Sequence, residues 1–137
     1  MPAENRTNDA IVRRWFAGFA TGMTDFDELV HPDFVNHAAP PAFQRGAAAF
    51  RRIIGAVLAA GGADGRYEIT HLIADGDLVS VFTIWHGTHA ASWLGVPATG
   101  RRFSTPQAHI FRLRDGRLAE HWAVRDDLSF FKQVGAR

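Results

Sequence analysis

The chain of 137 residues contains no cysteine, one lysine, one tyrosine and no long uninterrupted apolar run. Without cysteine, neither a disulfide framework nor a thiolate nucleophile is available, and the cytoplasm is the expected compartment. Nowhere does the sequence reach the ~18 uncharged apolar residues of a membrane span. The polar, acid-bearing start MPAENRTNDA has no apolar core of a signal peptide. An excess of one charge sign is lacking as well. The formal net charge is +1, which argues against a nucleic-acid partner despite a pI near 8.4. The pairs Arg13-Arg14, Arg51-Arg52 and Arg101-Arg102 suit solvated faces, with an anionic ligand as the alternative. Eleven Phe and four Trp stand against the single Tyr, so the core is dominated by rings without hydroxyl handles, and such a core can also line a pocket. The length is that of one domain, residues 1–137.

The periodicity is helical first and strand-like afterwards. Ile11, Val12, Trp15, Phe16 and Phe19 fall on one face of a helix capped by Thr7, Asn8 or Asp9 and ended by Gly22. Thr24 and Asp27 resemble a capping box for a short helix through Leu29 and Val30, stopped by His31-Pro32. DFVNHAAPP (33–41) reads as a strand fragment and a turn that place Asn36 beside His37. A third helix is expected from about Phe43 to Ala60, with Phe50, Ile53, Ile54, Val57 and Leu58 on its apolar face and Gly61-Gly62 at its end. From Arg66 the period becomes two, with Tyr67, Ile69, His71 and Ile73 on one face, a turn at Asp75-Gly76 and a second strand from Leu78 to about His89. The loop ASWLGVPATG then exposes Trp93 and Leu94 unless they cover a pocket mouth or a partner. Asp126 or Asp127 caps a last helix carrying Leu128, Phe131 and Val134. Helices followed by antiparallel strands give an α+β domain.

Residues 106–127, PQAHIFRLRDGRLAEHWAVRDD, form a hairpin whose register decides which groups meet, because a one-residue slip moves a side chain to the other face. A two-residue Asp115-Gly116 loop pairs Arg114 with Arg117 and sets His109 opposite Trp122. A three-residue loop with a glycine bulge instead pairs Leu113 with Arg117, so that His109 faces His121 and Gln107 faces Ala123.

The stretch GDLVSVFTIWHGTHAASWLGVPATGRRFS, the EHW of the hairpin, the terminal FFKQVG and the earlier HPDFVNH resemble the SnoaL-like polyketide cyclases of the ketosteroid-isomerase-like, nuclear transport factor 2-like superfamily. The resemblance implies a curved antiparallel sheet wrapped around N-terminal helices, a cone-shaped α+β barrel with a deep apolar cavity, commonly dimeric through the sheet. It also maps the family's cavity glutamine, histidine and asparagine onto Gln107, His109 and Asn36. The acid–base aspartate that follows the family's EHW tryptophan is here Ala123. Since the family places that aspartate and the histidine on one face, the resemblance favours the bulged register.

The expected activity is therefore general acid–base chemistry on a small hydrophobic carbonyl compound such as a polyketide, leading to aldol or ester-cyclase type ring closure or to isomerisation. A non-catalytic binder, or a hydrolase or dehydratase on the same fold, is the alternative. Catalytic candidates are His109, His121 and Asp126. Substrate-binding candidates are Asn36, His37, Gln107, Arg125, Trp15, Phe19, Phe34, Trp85, Trp122 and Trp93. Helix capping is the simpler account of both Asp126 and Asp127. Seven histidines invite a metal site, but His86 and His89 fall at a strand end where they point to different faces. A two-histidine, one-carboxylate site can be drawn with His109, His121 and Asp126, yet proton transfer explains the same residues and the resemblance implies no metal, so neither metal nor cofactor is expected. The expected assembly is a homodimer through apolar residues of segment 78–113.

Overall fold

The structure is a computed structural model and describes residues 3–135. Helix α1 (Ala3–Ala17) runs into a 3-10 turn over Gly18–Thr21 and stops at left-handed Gly22. A short α2 (Phe26–Leu29) leads into strand β1 (Val30–Asn36), and α3 (Ala47–Gly61) follows a 3-10 turn over Pro41–Phe43. Strands β2 (Arg66–Asp75), β3 (Leu78–Thr88), β4 (Arg102–Arg114) and β5 (Arg117–Arg125) come next, and α4 (Asp127–Val134) closes the chain. One curved sheet in the order β1-β5-β4-β3-β2 holds all five strands. Neighbours from β2 to β5 are antiparallel, whereas β1 joins β5 in parallel.

The expected curved sheet of four antiparallel strands is present, and the parallel edge strand is an addition to it that moves Val30 from helix to strand. Val30 pairs with Leu118 and is buried. A β-branched side chain packs well on a pleated surface, and at an edge Pro32 withholds no hydrogen bond from the interior of the sheet. The first helix also begins before its expected caps. Asn8 is buried within it and donates Nδ2–H to the carbonyl of Gly76, tying α1 to the β2–β3 turn. No capping box forms at α2: its N-cap is Asp25, Asp27 pairs with Arg51, and Asp25 and Glu28 both take Arg14.

In β2 an extra residue at Thr70 breaks the expected alternation, since Ile69 pairs with Thr83 but His71 with Phe82. Beyond it Leu72 and Ala74 pack on the core while Ile73 turns outward and is 70% exposed.

The core fills the concave side of the sheet. Trp15 stacks on Phe50 (5.3 Å between centroids), which stacks on Phe34 (4.1 Å), and Trp85 meets Phe103 (4.6 Å) and Phe130 (6.3 Å). The C-terminal end of α3 crosses β3 at Gly87, where a Cβ would stand 2.6 Å from the Gly61 carbonyl oxygen and 2.9 Å from Phe103. Backbone cannot yield as a flexible side chain can, so Gly87→Ala is expected to cost about 3 kcal/mol of overpacking strain, read as a lower urea midpoint at unchanged slope. Full stability in that variant would show that α3 is not held against β3 there.

Candidate functional site

The hairpin combines parts of both expected registers. Asp115 (φ 56°) and Gly116 (φ 73°) are both left-handed, as a two-residue type I′ loop requires, and Arg114 pairs with Arg117. Three residues later the register shifts: Leu113 faces Leu118, but Arg112 faces Glu120, which leaves Ala119 as an extra residue in β5. Leu118 and Ala119 are consecutively buried, the mark of a bulge. The shift brings Gln107, His109, His121, Ala123 and Arg125 onto the concave face. The direct partners differ from the favoured register by two positions, since His109 lies opposite Ala123 and His121 opposite Phe111. The two histidines are diagonal neighbours, which long side chains can bridge.

They do bridge. His109 Nδ1 and His121 Nε2 are 2.8 Å apart, His121 Nδ1 is 2.8 Å from Asn36 Oδ1, and His109 Nε2 is 2.8 Å from Gln107 Oε1. Asn36 Oδ1 also accepts from the Ala38 N–H at 3.1 Å, which fixes it as an acceptor, so His121 Nδ1–H donates to it. His121 then offers the Nε2 lone pair toward His109. Two neutral imidazoles carry two ring protons, so one is left for His109. In the Nδ1–H tautomer of His109, Nε2 holds the remaining lone pair, facing the acceptor Gln107 Oε1; the Nε2–H tautomer donates to that oxygen and leaves Nδ1 facing the His121 lone pair. A proton delivered to Nε2 would be donated at once to that oxygen, so the chain of groups is one proton short of full hydrogen bonding.

Burial acts in the other direction. His109, Gln107, His121 and Asn36 are all buried. Desolvation, reinforced by the positive charge of Arg125, lowers the pKa of His109 to about 3. His121 is held well below the ordinary histidine range by burial and then by the charges of His109, Arg125 and His37. Both imidazoles are neutral at neutral pH. Tyr67, the one tyrosine, has its phenol pushed up by burial, while a hydrogen bond from Gln107 opposes that shift. The phenol is thus a neutral hydroxyl, with the Gln107 amide N–H donating to its oxygen.

These groups form one wall of a cavity of about 610 Å³ between the sheet and helices α1 and α3, large enough for a drug-sized ligand. Trp15, Phe19, Trp93, Asn36, Gln107, His109, His121 and Arg125 line it, and Leu94 joins Trp93 at the loop. Four expected lining residues and one catalytic candidate lie elsewhere. Phe34 and Trp85 sit in the core behind the wall, because their neighbours Phe50 and Trp93 occupy the positions facing the cavity. Trp122 is one strand position past His121 and so points to the outer face, where it stacks on His37 at 4.8 Å. His37 also leaves the cavity, with Nε2 2.8 Å from Glu120 Oε2. Asp126 caps α4, its Oδ1 accepting from the Ser129 N–H at 3.0 Å.

Of the histidines of the metal hypothesis, His86 and His89 lie away from the His109–His121 pair. His86 binds Glu68 and Ser104 on the outer face, and His89 is sealed against Thr99 and Phe130. Sequence reasoning missed Tyr67, Phe16, Phe43 and Arg52 as cavity residues. For Tyr67 a signal existed, since it begins the inward parity of β2; for Arg52 only the packing of α3 decides.

Residues 10–134 match the sequence model of the SnoaL-like polyketide cyclase family. Nogalonic acid methyl ester cyclase of Streptomyces nogalater is 33% identical over 121 residues, covering 87% of this chain and 90% of that protein. Aklanonic acid methyl ester cyclase DnrD of Streptomyces peucetius is 31% identical over 131 residues, covering 91% and 88%. The solved structure of TsrD from Streptomyces laurentii superposes with a TM-score of 0.89 at 27% identity, covering 99% of this chain and 100% of that one. A matching family model over nearly all of the chain, curated cyclases above 30% identity and a shared fold lead to one assignment: the chain belongs to the SnoaL-like polyketide cyclase family and is an enzyme of that type.

Proposed function

We propose that this enzyme closes a ring in a hydrophobic polyketide-like compound by general acid–base catalysis, with His109 as the proton carrier. The observation that carries this reading is the buried chain Gln107–His109–His121–Asn36 on the wall of an otherwise apolar cavity. In the intramolecular aldol sense, the Gln107 amide turns aside from His109 Nε2, whose lone pair then takes a proton from the carbon next to a carbonyl. The resulting carbanion attacks a second carbonyl of the same molecule, a carbon–carbon bond forms, and the alkoxide recovers the proton from His109.

Asn36 holds the tautomer of His121, which in turn holds that of His109. The Tyr67 hydroxyl hydrogen is left to donate to the enolate oxygen. Proton uptake at Nε2 completes the donated chain to Gln107, so this hydrogen bond strengthens as charge develops, the requirement for acceleration rather than mere binding. Incubating an open-ring polyketide ester of the relatives' kind in deuterated water tests the reading. Ring-closed product, together with deuterium at the deprotonated carbon of recovered open-ring ester, where reversal of the first step returns a solvent deuteron, is the expected outcome. Tight binding with neither exchange nor ring closure would make the protein a binder.

The reading extends to assembly and compartment: a homodimer in the cytosol. Two adjacent cross-strand rows on the outer face, Ile73–Ser80–Ile110–Trp122 and His71–Phe82–Ala108–Val124, present apolar side chains to solvent. Ile73 and Val124 are 70% and 75% exposed. A second copy of the same face would cover them. Sedimentation at micromolar concentration is expected to give twice the 15.1 kDa chain mass, and a clean monomer refutes it. Among the described residues no helix is long and apolar enough to cross a membrane.

A further inference from the structure

We propose that the cavity selects hydrophobic carbonyl compounds that carry an ionised carboxylate, held at its mouth by Arg52 and Arg125. This names the substrate class of the cavity and rests on the acid–base reading above.

The first support is a census of charge. Arg52 and Arg125 line the cavity, and no aspartate or glutamate does so among the described residues. Arg51 and Arg52 are adjacent on α3 but differ in partnership. Arg51 pairs with Asp27 and lies over the Phe26 ring, whereas Arg52 lies over the cavity residue Phe43 at 5.6 Å and has no carboxylate partner among the described residues. The second support is the fixing of Arg125. Its Nε and Nη2 donate to Asp127 at 3.2 and 3.3 Å, and its guanidinium lies 5.7 Å from the Trp93 ring centroid. Both Nη1 hydrogens are left to face a ligand, on a group that has little rotamer freedom left to lose.

A neutral, wholly apolar ligand would strip water from these two guanidiniums without replacing its hydrogen bonds. A carboxylate replaces them with charge-assisted ones. The same anion would offset the positive charge that opposes protonation of His109 and His121, so binding and base strength rise together. The curated relatives named above are cyclases of methyl esters; here the corresponding group would be the free acid.

Titration of the full chain with anthraquinone-2-carboxylate and with its methyl ester, followed by tryptophan fluorescence and calorimetry, tests this. The acid is expected to bind roughly tenfold or more tightly than the ester, and to lose that advantage as salt rises. Arg52→Met and Arg125→Met should each weaken the acid by about tenfold and the ester hardly at all. Equal or tighter binding of the ester, failure of both to bind, or variants that weaken both alike would overturn the proposal. Because these are equilibrium measurements, they are independent of turnover. Acid selectivity without proton exchange at carbon would remove the catalytic reading and leave the anion site standing, and exchange without acid selectivity would do the reverse.

Discussion

Replacing His109 by glutamine is expected to lower kcat by roughly 10²–10⁴-fold, the usual contribution of a positioned acid–base group. Glutamine keeps polarity and can still reach His121 and Gln107, so the buried network is not left with an orphaned partner and the circular dichroism spectrum should be unchanged. His121→Gln should cost less, because it removes the group that orients His109 and not the nitrogen that takes the proton. Asp126→Asn should leave turnover almost intact, since Asp126 caps α4 and does not line the cavity; its effect is at most about 1 kcal/mol of stability. The pH profile adds an independent reading. A base must be unprotonated, and the free-enzyme pKa of His109 lies near 3, so kcat/KM should stay flat well below the ordinary histidine range. An acid limb near 6.5, or full activity in His109→Gln, would assign proton transfer to another group.

Acid unfolding is the second large effect. His109 has a folded pKa of about 3 against an ordinary 6.5, with burial as the first cause, and His121 is shifted in the same direction. Between these values the unfolded chain binds protons that the folded chain does not. The stabilisation is therefore complete above the ordinary value and is lost progressively as pH falls through that window toward about 3. For His109 alone the loss on reaching pH 4.5 is roughly 2–3 kcal/mol, a substantial part of the stability of a small domain. Urea titrations from pH 7.5 to 4.5 should show this slope, and the His109→Gln/His121→Gln double variant should flatten it. A variant with the wild-type slope would mean that the imidazoles accept protons in the folded state.

Composition and period were sufficient for much of this. The change from a helical to a two-residue repeat after Gly65 located the meander, the ring-rich composition foretold a core able to line a cavity, and Asp126 was legible as a cap because N-capping needs only a short acceptor at a helix start. Those are local or near-local properties. The resemblance in the HPDFVNH, GTH and EHW segments supplied Gln107, His109 and Asn36 together.

What the chain alone left open was decided by contacts distant in sequence. Bulges at Thr70 and Ala119 leave no local mark, since an extra residue is accepted where neighbouring strands must bend over helices, yet each reverses the side-chain parity beyond it. The bulge at Ala119 lets a two-residue turn coexist with His109 and His121 on one face. Val30 and Asn36 depend on the edge of β5, which is formed eighty-odd residues later. Whether an aromatic ring lines the cavity or supports its wall was likewise settled by packing: hydrophobicity drives Phe34 and Trp85 inward but does not distinguish a first layer from a second. Arg52 reads in sequence as one of a solvated pair, and only the seating of α3 against the sheet turns it toward the cavity and Arg51 toward Asp27.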